Sequence, residues 1–176
     1  YWQPYDLAVS YCSQSARRGV QFSVNTAAEE ILMKEGRVIG VKTDQGTIHC
    51  DTVINAAGAH AFHIAKLVGL ELPIVPVRHE YFISVPCEGL TPDLPVIRIP
   101  DLSLYIRTDV NALLVGGWEP NPLHTDPRKY ALRGNPPGIE SDWEVLAKFA
   151  EDLLPQFPNA SDLGIRSVFK GWPTFT

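Results

Sequence analysis

The sequence predicts an α+β fold, and three observations lead to that class. The first part of the chain combines two helix-like segments with several short strands joined by tight turns. The following part is divided by prolines into short strand-like runs, which excludes long helices there. One amphipathic segment near the C-terminus then has helical spacing. Strands linked by short turns pair antiparallel, so we expect segregated helices and sheets.

The first predicted element is a helix over Pro4–Arg17. Pro4 suits a first helical turn, Asp6 suits the positive end of the helix dipole, and Gly19 follows as a stop signal. Helical spacing brings apolar and small residues onto one face, namely Leu7, Ala8, Tyr11, Cys12 and Ser15.

A small antiparallel meander is predicted after this helix. Apolar residues alternate with polar ones, and the breaks fall at Lys34–Arg37 and Asp44–Gly46, which are typical turn sequences. The predicted strands are Val20–Val24, Ala28–Met33, Val38–Thr43 and Thr47–Cys50.

The most informative stretch is Asp51–Gly58, with the sequence Asp-Thr-Val-Ile-Asn-Ala-Ala-Gly. It predicts a strand over Thr52–Ala56 that runs into small residues, followed by a helix over His60–Val68. Bare backbone at a strand end is where α/β proteins hold nucleotides. The chain contains neither Gly-x-Gly-x-x-Gly nor a lysine-bearing phosphate loop. Either this strand end has no cofactor role, or the chain is part of a larger nucleotide-binding protein.

A second, largely antiparallel sheet is predicted further along the chain. Glu119–Gly138 contains five prolines and is interpreted as an ordered loop. Ser141–Glu144 has the spacing of a capping box, so a helix begins there and ends at Pro155. Its predicted apolar face comprises Trp143, Leu146, Ala147, Ala150, Leu153 and Leu154. The predicted strands are Val75–Val85, Val96–Ile99, Ser103–Thr108, Ala112–Trp118 and Ile165–Lys170.

Composition and charge exclude several classes of protein. The 176 residues are 45% hydrophobic and 20% charged, which is ordinary for a globular protein. A net charge of −5 argues against a nucleic-acid surface, and no apolar run reaches membrane-spanning length. The three cysteines are far apart and predict reduced thiols without a metal site. We therefore expect an intracellular, soluble protein of the cytoplasm or the mitochondrial matrix.

The order of the motifs resembles that of FAD-dependent amine oxidoreductases of the D-amino-acid-oxidase superfamily. The resemblance covers essentially the whole chain and is closest to dimethylglycine and sarcosine dehydrogenases. Its most specific segments are Pro76–Tyr81 and Leu104–Arg107. Other matching segments are Val24–Ile31, Val53–Gly58, Leu72–Tyr81, Leu94–Arg98 and Gly116–Pro122.

The resemblance implies a fragment of a larger flavoprotein. Residues 1–70 would be part of an FAD/NAD(P)-binding-like domain with its β-meander. Residues 71–176 would form the antiparallel substrate-binding sheet with one long helix. The main FAD-binding loop and a C-terminal folate-binding module would lie outside the chain. We therefore expect the 176 residues alone to bind FAD weakly and to be inactive.

The resemblance also implies catalytic roles for His79 and Tyr105. His79 matches a family histidine near the substrate nitrogen, where an imidazole can accept the proton that must leave before hydride transfer. Tyr105 matches an active-site tyrosine whose hydroxyl can orient the substrate. The alternatives also stand: a histidine that only hydrogen-bonds a neighbour on the sheet, and a tyrosine that serves as a cross-strand aromatic residue.

Two further residues are candidates for substrate binding because strand geometry places them on the same face as the first two. Arg107 lies two residues after Tyr105 and can pair with a substrate carboxylate, or it can be a surface residue. Tyr81 lies two residues after His79. Trp118 and Glu119 continue a Gly-Gly strand and are interpreted as packing and loop-anchoring residues, with a Glu119 that faces the pocket as the alternative.

For the cofactor, the resemblance implies contacts from Ala28, Ala57, Gly58 and His60. Ala28 matches a position whose backbone contacts the adenine part of FAD. Ala57 and Gly58 match the strand end beneath the cofactor, where small residues let the backbone approach closely. Many relatives have an aromatic pair after this glycine, whereas this chain has Ala59-His60. An imidazole then replaces an indole near the flavin, or the pocket differs.

The leading functional prediction is hydride transfer to FAD from an N-methylated amino acid such as dimethylglycine or sarcosine. One alternative is a non-catalytic relative, since the superfamily includes a phosphatase regulatory subunit. Another is a flavoenzyme acting on a different amino acid or an α-hydroxy acid. No nucleic acid, membrane or metal is expected as a partner. The open sheet edges of a fragment are expected to pair with a second copy.

Overall fold

A computed structural model describes residues 3–136, 140–160 and 163–176. Contacts between Cα atoms divide the chain into two compact units. The first unit comprises residues up to Asn55 together with Lys66–Leu70, and the second comprises Ala56–Ala65 and Glu71–Thr176. In the part of the chain that the structure describes, no helix is both long enough and apolar enough to cross a bilayer.

The first unit contains helix α1 (Pro4–Arg17) and an antiparallel meander. The bounds of α1 are as predicted, but none of its residues is buried, so the predicted apolar face does not form a core. The meander strands are paired in chain order, with β-bulges in the first strand, and comprise β1 (Ala28–Lys34), β2 (Arg37–Thr43) and β3 (Gly46–His49).

Two predicted strands of the N-terminal part are wrong. Val20–Val24 is irregular and ends in a turn in which Asn25 has a positive φ of 53°. Thr52–Ala56 lies outside every strand, because none of the described strands pairs with it. A strand requires hydrogen bonds from a neighbour, and side-chain pattern alone does not supply that neighbour. A 3₁₀ turn at Gly58–His60 leads into helix α2 (Ala61–Lys66), which is shorter than predicted.

The second unit is built around a five-stranded antiparallel sheet. Its spatial order is β6-β7-β8-β5-β9, and a separate pair is formed by β4 and β10. The predicted strand Val75–Val85 is divided in two, and the short strand β10 was not predicted. The strands are β4 (Val75–Pro76), β5 (His79–Ser84), β6 (Ile97–Ile99), β7 (Leu104–Asp109), β8 (Ala112–Gly117), β9 (Ile165–Gly171) and β10 (Thr174–Phe175).

Helix α3 (Trp143–Leu153) covers one face of this sheet and closes the core. Its cap is Asp142, whose carboxylate accepts the backbone N–H of Val145, and not Ser141 as predicted. Trp143 is 61% exposed, whereas Phe149 is buried and was missing from the predicted apolar face. The shared core comprises Phe82, Leu104, Ile106, Leu113, Val115, Leu146, Phe149, Leu153 and Ala160.

The predicted loop Glu119–Gly138 contains a 3₁₀ turn at Pro127–Lys129. Its C-terminal residues, 137 and 138, lie outside the described residues. The α+β prediction for the chain as a whole is confirmed by helices and antiparallel sheets that are segregated along the sequence.

Candidate active site

Strand β5 divides its side chains between the two faces of the sheet. Glu80 and Phe82 are buried on the side of α3, and His79 and Tyr81 alternate with them. On β7, Leu104 and Ile106 belong to the core beneath α3, which assigns Tyr105 and Arg107 to the opposite face. The structure therefore brings the four predicted catalytic and substrate-binding residues onto one face of the sheet.

Gly116 lies between the two tyrosines of this face. It is the register partner of Tyr81 on one side and of Tyr105 on the other. A Cβ atom at position 116 would lie 2.6 Å from Cζ of Tyr105 and 2.7 Å from Cβ of Tyr81. These distances are too short for any side chain, so the Tyr105 ring lies across Gly116 because this position is a glycine.

His79 is held by a buried carboxylate. Its Nδ1 atom lies 3.0 Å from Oε2 of Glu119, the second residue after the end of β8. The side chains of His79 and Glu119 are only 12% and 6% exposed. The Trp118 ring packs edge-on against the imidazole, with the centroids 4.4 Å apart. Glu119, interpreted from the sequence as a loop anchor, is thus the direct partner of the predicted base.

Electrostatics also link the members of this face. Burial raises the pKa of Tyr105 above its ordinary value of 10.0, and repulsion from the ionised form of Tyr81 and from the Glu119 carboxylate raises it further. The Arg107 guanidinium opposes this shift and is the smallest contribution. The Tyr105 phenol is therefore a hydrogen-bond donor at neutral pH, which is the form needed to orient a substrate oxygen.

We expect the Tyr105 phenol to ionise above pH 10, later than an ordinary tyrosine. Because the folded pKa exceeds the unfolded one, the contribution of Tyr105 to stability is fully present below the unfolded pKa. It is lost as the pH rises through the folded pKa. An absorbance titration at the tyrosinate band, compared with that of Tyr105→Phe, measures this ionisation. The part of the titration that is lost in Tyr105→Phe reports Tyr105 itself. If that part titrated at or below pH 10, the expected burial would be contradicted.

Arg107 is engaged within its own strand. Its Nη1 atom donates to the carbonyl oxygen of Thr108 at 2.9 Å and lies 3.3 Å from Oδ1 of Asp109. Asp109 also faces Arg166, with Nη2 of Arg166 3.6 Å from its Oδ2 atom. A substrate carboxylate that pairs with Arg107 must therefore compete with Asp109. Tyr81 stacks on Phe169 of β9, with centroids 5.2 Å apart and ring planes 16° apart.

The predicted cofactor residues of the second unit lie in the 3₁₀ turn before α2. Gly58 has a positive φ of 53°, and a Cβ built there meets no atom within 4 Å. The neighbouring side chains from Ala56 to Ala59 are no larger than a methyl group. The turn therefore presents accessible backbone, which fits the close approach of a planar cofactor.

His60 belongs to a cluster of rings with His63 and Tyr130. Its ring centroid lies 5.6 Å from that of His63 and 5.5 Å from that of Tyr130. Burial lowers the pKa of His60, and the adjacent His63 lowers it further, so the imidazole is neutral at pH 7. Nε2 of His63 lies 2.6 Å from the carbonyl oxygen of Tyr130. The Tyr130 hydroxyl donates a hydrogen bond to the carbonyl oxygen of Ala59.

Ala28 lies in the other unit, where it is the first residue of β1. It pairs with Thr43 of β2 and is half-buried. The backbone N–H of its neighbour Ala27 donates to Oδ1 of Asp44 at 3.0 Å, which ties the start of β1 to the turn after β2.

A buried ionic cluster lies behind His79, on the α3 side of the sheet. Nε of Arg78 is 2.9 Å from Oε1 of Glu80, an ion-pair contact without good hydrogen-bond alignment. Nη2 of Arg78 also contacts Oδ2 of Asp142 at 2.8 Å, and Glu80 accepts the backbone N–H of Asp142. The side chains of Arg78 and Glu80 are 8% and 0% exposed. The sequence signal for this cluster is the pair of opposite charges, Arg78 and Glu80, which are two positions apart and therefore share one face of a strand.

A cavity of about 590 Å³ lies away from this face. It is lined by Phe62, residues 71–75 and residues 124–128, and it includes none of the predicted site residues. A second cavity of about 430 Å³ on the α3 side includes Trp118 and Glu119.

The family model described as FAD dependent oxidoreductase matches residues 1–173 of the chain. The chain belongs to this family. The predicted resemblance is thereby confirmed, and FAD is the cofactor on which the family depends. Whether each candidate residue has its predicted role stays a prediction.

The curated relatives of this chain include a sarcosine dehydrogenase and a 4-methylaminobutanoate oxidase. Human mitochondrial sarcosine dehydrogenase is 33% identical over 80% of this chain and 15% of its own length. The 4-methylaminobutanoate oxidase (formaldehyde-forming) of Paenarthrobacter nicotinovorans is 34% identical over 89% of this chain and 19% of its own length. The chain therefore spans less than a fifth of the length of each.

Solved structures support the fold alone, because their sequence identity is low. L-proline dehydrogenase from P. horikoshii superimposes with a TM-score of 0.78 at 20% identity, over 96% of this chain and 43% of the other. Glycine oxidase from Geobacillus kaustophilus superimposes with a TM-score of 0.70, also at 20% identity, over 97% of this chain and 42% of the other. The α+β class of the D-amino-acid-oxidase type is thus shared with known flavoenzymes.

Proposed function

We propose that this chain supplies the substrate face of a flavoprotein that oxidises the C–N bond of N-methylated amino acids. The observation that carries the proposal is the shared sheet face of His79, Tyr81, Tyr105 and Arg107, with His79 held by the buried Glu119. This face combines a proton acceptor, a hydroxyl donor and a cation. Those groups are what recognition of an amino acid and deprotonation of its nitrogen require.

FAD, when bound, accepts the hydride that leaves the carbon adjacent to the nitrogen. The residues of the second unit that we propose to contact it are Ala57, Gly58 and His60. The open backbone around Gly58 supports this assignment. Because the His60 imidazole is neutral, it brings no positive charge to the proposed contact with the cofactor.

The roles of the protein side chains follow from their chemistry. His79 accepts a proton from the substrate nitrogen at Nε2, since its Nδ1 faces Glu119. The Tyr105 hydroxyl donates a hydrogen bond to the substrate and stays protonated because burial raises its pKa. Arg107 pairs with the substrate carboxylate by exchanging its Asp109 contact for the ligand.

The N-methyl substrate class is supported by the names of the relatives. Sarcosine dehydrogenase and 4-methylaminobutanoate oxidase (formaldehyde-forming) both act on an N-methylated amino acid, and dimethylglycine dehydrogenase of rat is 26% identical over 98% of this chain. A folate acceptor for the released carbon, bound outside this chain, stays a prediction.

A second candidate function is regulatory. The mouse pyruvate dehydrogenase phosphatase regulatory subunit is 30% identical over 97% of this chain, comparable to the enzymes. Identity therefore does not separate the two functions. The His79–Glu119 pair and the protonated Tyr105 favour the enzyme, because a purely regulatory surface has no need for a buried proton acceptor.

The test is product formation by the full-length flavoprotein. With sarcosine, dimethylglycine or 4-methylaminobutanoate, oxidation of the N-methyl carbon followed by hydrolysis should release formaldehyde and the demethylated amine in equal amounts. Glycine and L-proline, which have no N-methyl group, are the controls. Turnover of L-proline or glycine without formaldehyde would contradict the N-methyl assignment. Bound flavin without any turnover would favour the regulatory function.

A further inference from the structure

The pairing of His79 with Glu119 determines more than the position of the ring. A carboxylate has no hydrogen to donate when ionised, so Oε2 can only accept from Nδ1. In the neutral imidazole one nitrogen is protonated and the other holds a lone pair. A hydrogen bond from Nδ1 to Glu119 therefore leaves the lone pair on Nε2.

Nε2 is the nitrogen that remains available to a ligand. Among the residues that the structure describes, none forms a hydrogen bond with Nε2, whereas Nδ1 is paired with Glu119. Trp118 and Phe175 flank the ring with centroid distances of 4.4 and 6.0 Å and restrict its rotation. Rotation that exchanged the two nitrogens would separate Nδ1 from the carboxylate.

The environment of Glu119 is unusual for a carboxylate with a purely structural role. Its side chain is only 6% exposed, and its other oxygen, Oε1, is buried and has no hydrogen-bond partner among the described residues. Burial of a carboxylate with one unpaired oxygen is costly. A carboxylate that only anchors a loop would be better stabilised by hydrogen bonds from two backbone N–H groups. The observed partner is instead the His79 imidazole, which indicates that Glu119 serves to hold that ring.

We propose that Glu119 is a positioning residue that fixes the Nδ1–H tautomer of His79 and thereby creates the proton acceptor at Nε2. The inference rests on the proposed function and adds a residue to it. When Nε2 takes the proton of a substrate ammonium group, the N–H bond of the substrate breaks and the electron pair stays on its nitrogen. The imidazolium that forms carries its positive charge beside the Glu119 carboxylate, which stabilises it.

The test uses Glu119→Gln and Glu119→Ala, with the exposed Glu88→Gln as the matched control. A glutamine has nearly the same shape, but its amide can donate to Nδ1 as well as accept from it. An alanine removes the partner altogether and returns the ring to the Nε2–H tautomer that free histidine prefers. Nitrogen-15 NMR of histidine-labelled protein at alkaline pH distinguishes the tautomers directly.

We expect an Nδ1–H signal for His79 in the unmodified protein and in Glu88→Gln, and loss of that tautomer in Glu119→Ala. Glu119→Gln should show a mixture or the Nε2–H form. His79→Ala assigns the signal by its disappearance. An Nε2–H tautomer in the unmodified protein, or the same tautomer in all variants, would overturn the proposal whatever the substrate is.

The kinetic readout is flavin reduction by the amine in the full-length protein. Glu119→Gln should lower the limiting rate about 10- to 100-fold, the loss typical when a carboxylate that orients a metal-bound histidine is replaced, without weakening substrate binding. An unchanged rate would contradict the positioning role. Absence of reduction in the unmodified protein would refute the proposed function, and the tautomer measurement would still decide the geometry independently.

Discussion

Replacing Glu80 by alanine is expected to lower the free energy of unfolding by about 3–5 kcal/mol, because it removes one partner of a buried ionic cluster. Arg78 would keep its charge in an 8%-exposed position with Asp142 as its remaining carboxylate partner and the Glu140 carbonyl oxygen as a further acceptor, and the backbone N–H of Asp142 would lose its carboxylate acceptor. That N–H lies at the start of α3, so the variant also weakens the attachment of the helix that closes the core.

Equilibrium denaturation of Glu80→Ala measures this loss, with the exposed Glu88→Ala as a control expected to change stability by about 0.5 kcal/mol or less. The double variant Arg78→Met/Glu80→Leu removes both charges and should be more stable than Glu80→Ala, because no uncompensated cation remains. If the single variant matched the control, the cluster would not contribute to stability as argued.

Much of the fold could be predicted because its local signals agree with the tertiary structure. Pro4, Asp6 and Gly19 determine the bounds of α1, and the turn sequences at 34–37 and 44–46 determine the meander. Strands β7 and β8 are connected by a hairpin and need no distant partner to be recognised. Such elements depend on residues that are neighbours in the sequence.

The predictions of local structure are wrong where that structure depends on contacts with residues distant in the sequence. Thr52–Ala56 has strand-like residues but no neighbouring strand among those described, and the same holds for Val20–Val24. Asp142 caps α3 instead of Ser141 because Glu80 and Arg78 of the sheet hold it there. Sequence spacing allowed either residue as the cap, and only the distant contacts distinguish them.

The candidate site was predictable in part for the same reason. Two-residue spacing placed Tyr81 with His79 and Arg107 with Tyr105, and the register of β5, β8 and β7 then brought the pairs together across Gly116. The contact between His79 and Glu119 joins residues 40 positions apart. No local pattern encodes such a contact, so Glu119 was interpreted as a loop anchor.

The largest functional effect is expected for His79→Ala in the full-length flavoprotein. Removing a general base from proton transfer usually costs about 10²- to 10⁴-fold in rate. The variant also leaves the Glu119 carboxylate buried without its partner, so some loss of stability is expected too. Flavin content should change little, because the residues proposed to contact FAD lie outside β5.

A matched control is His49→Ala on β3 of the meander. His49 is exposed and belongs to the other compact unit, so its replacement should change neither the rate of flavin reduction nor flavin content. A second control is His79→Ala with Glu119→Ala. This double variant removes the unpaired charge and separates the loss of the base from the cost of burying a lone carboxylate.

The measurement that tests the central claim most directly is the limiting rate of anaerobic flavin reduction by sarcosine or dimethylglycine in His79→Ala, normalised to bound flavin. If the sheet face of His79, Tyr81, Tyr105 and Arg107 binds the substrate, the rate in His79→Ala is about 10²- to 10⁴-fold below that of the unmodified protein, with flavin content preserved. An unchanged rate per bound flavin, or a loss of activity that only follows a loss of flavin, would contradict the assignment of this sheet face to the substrate.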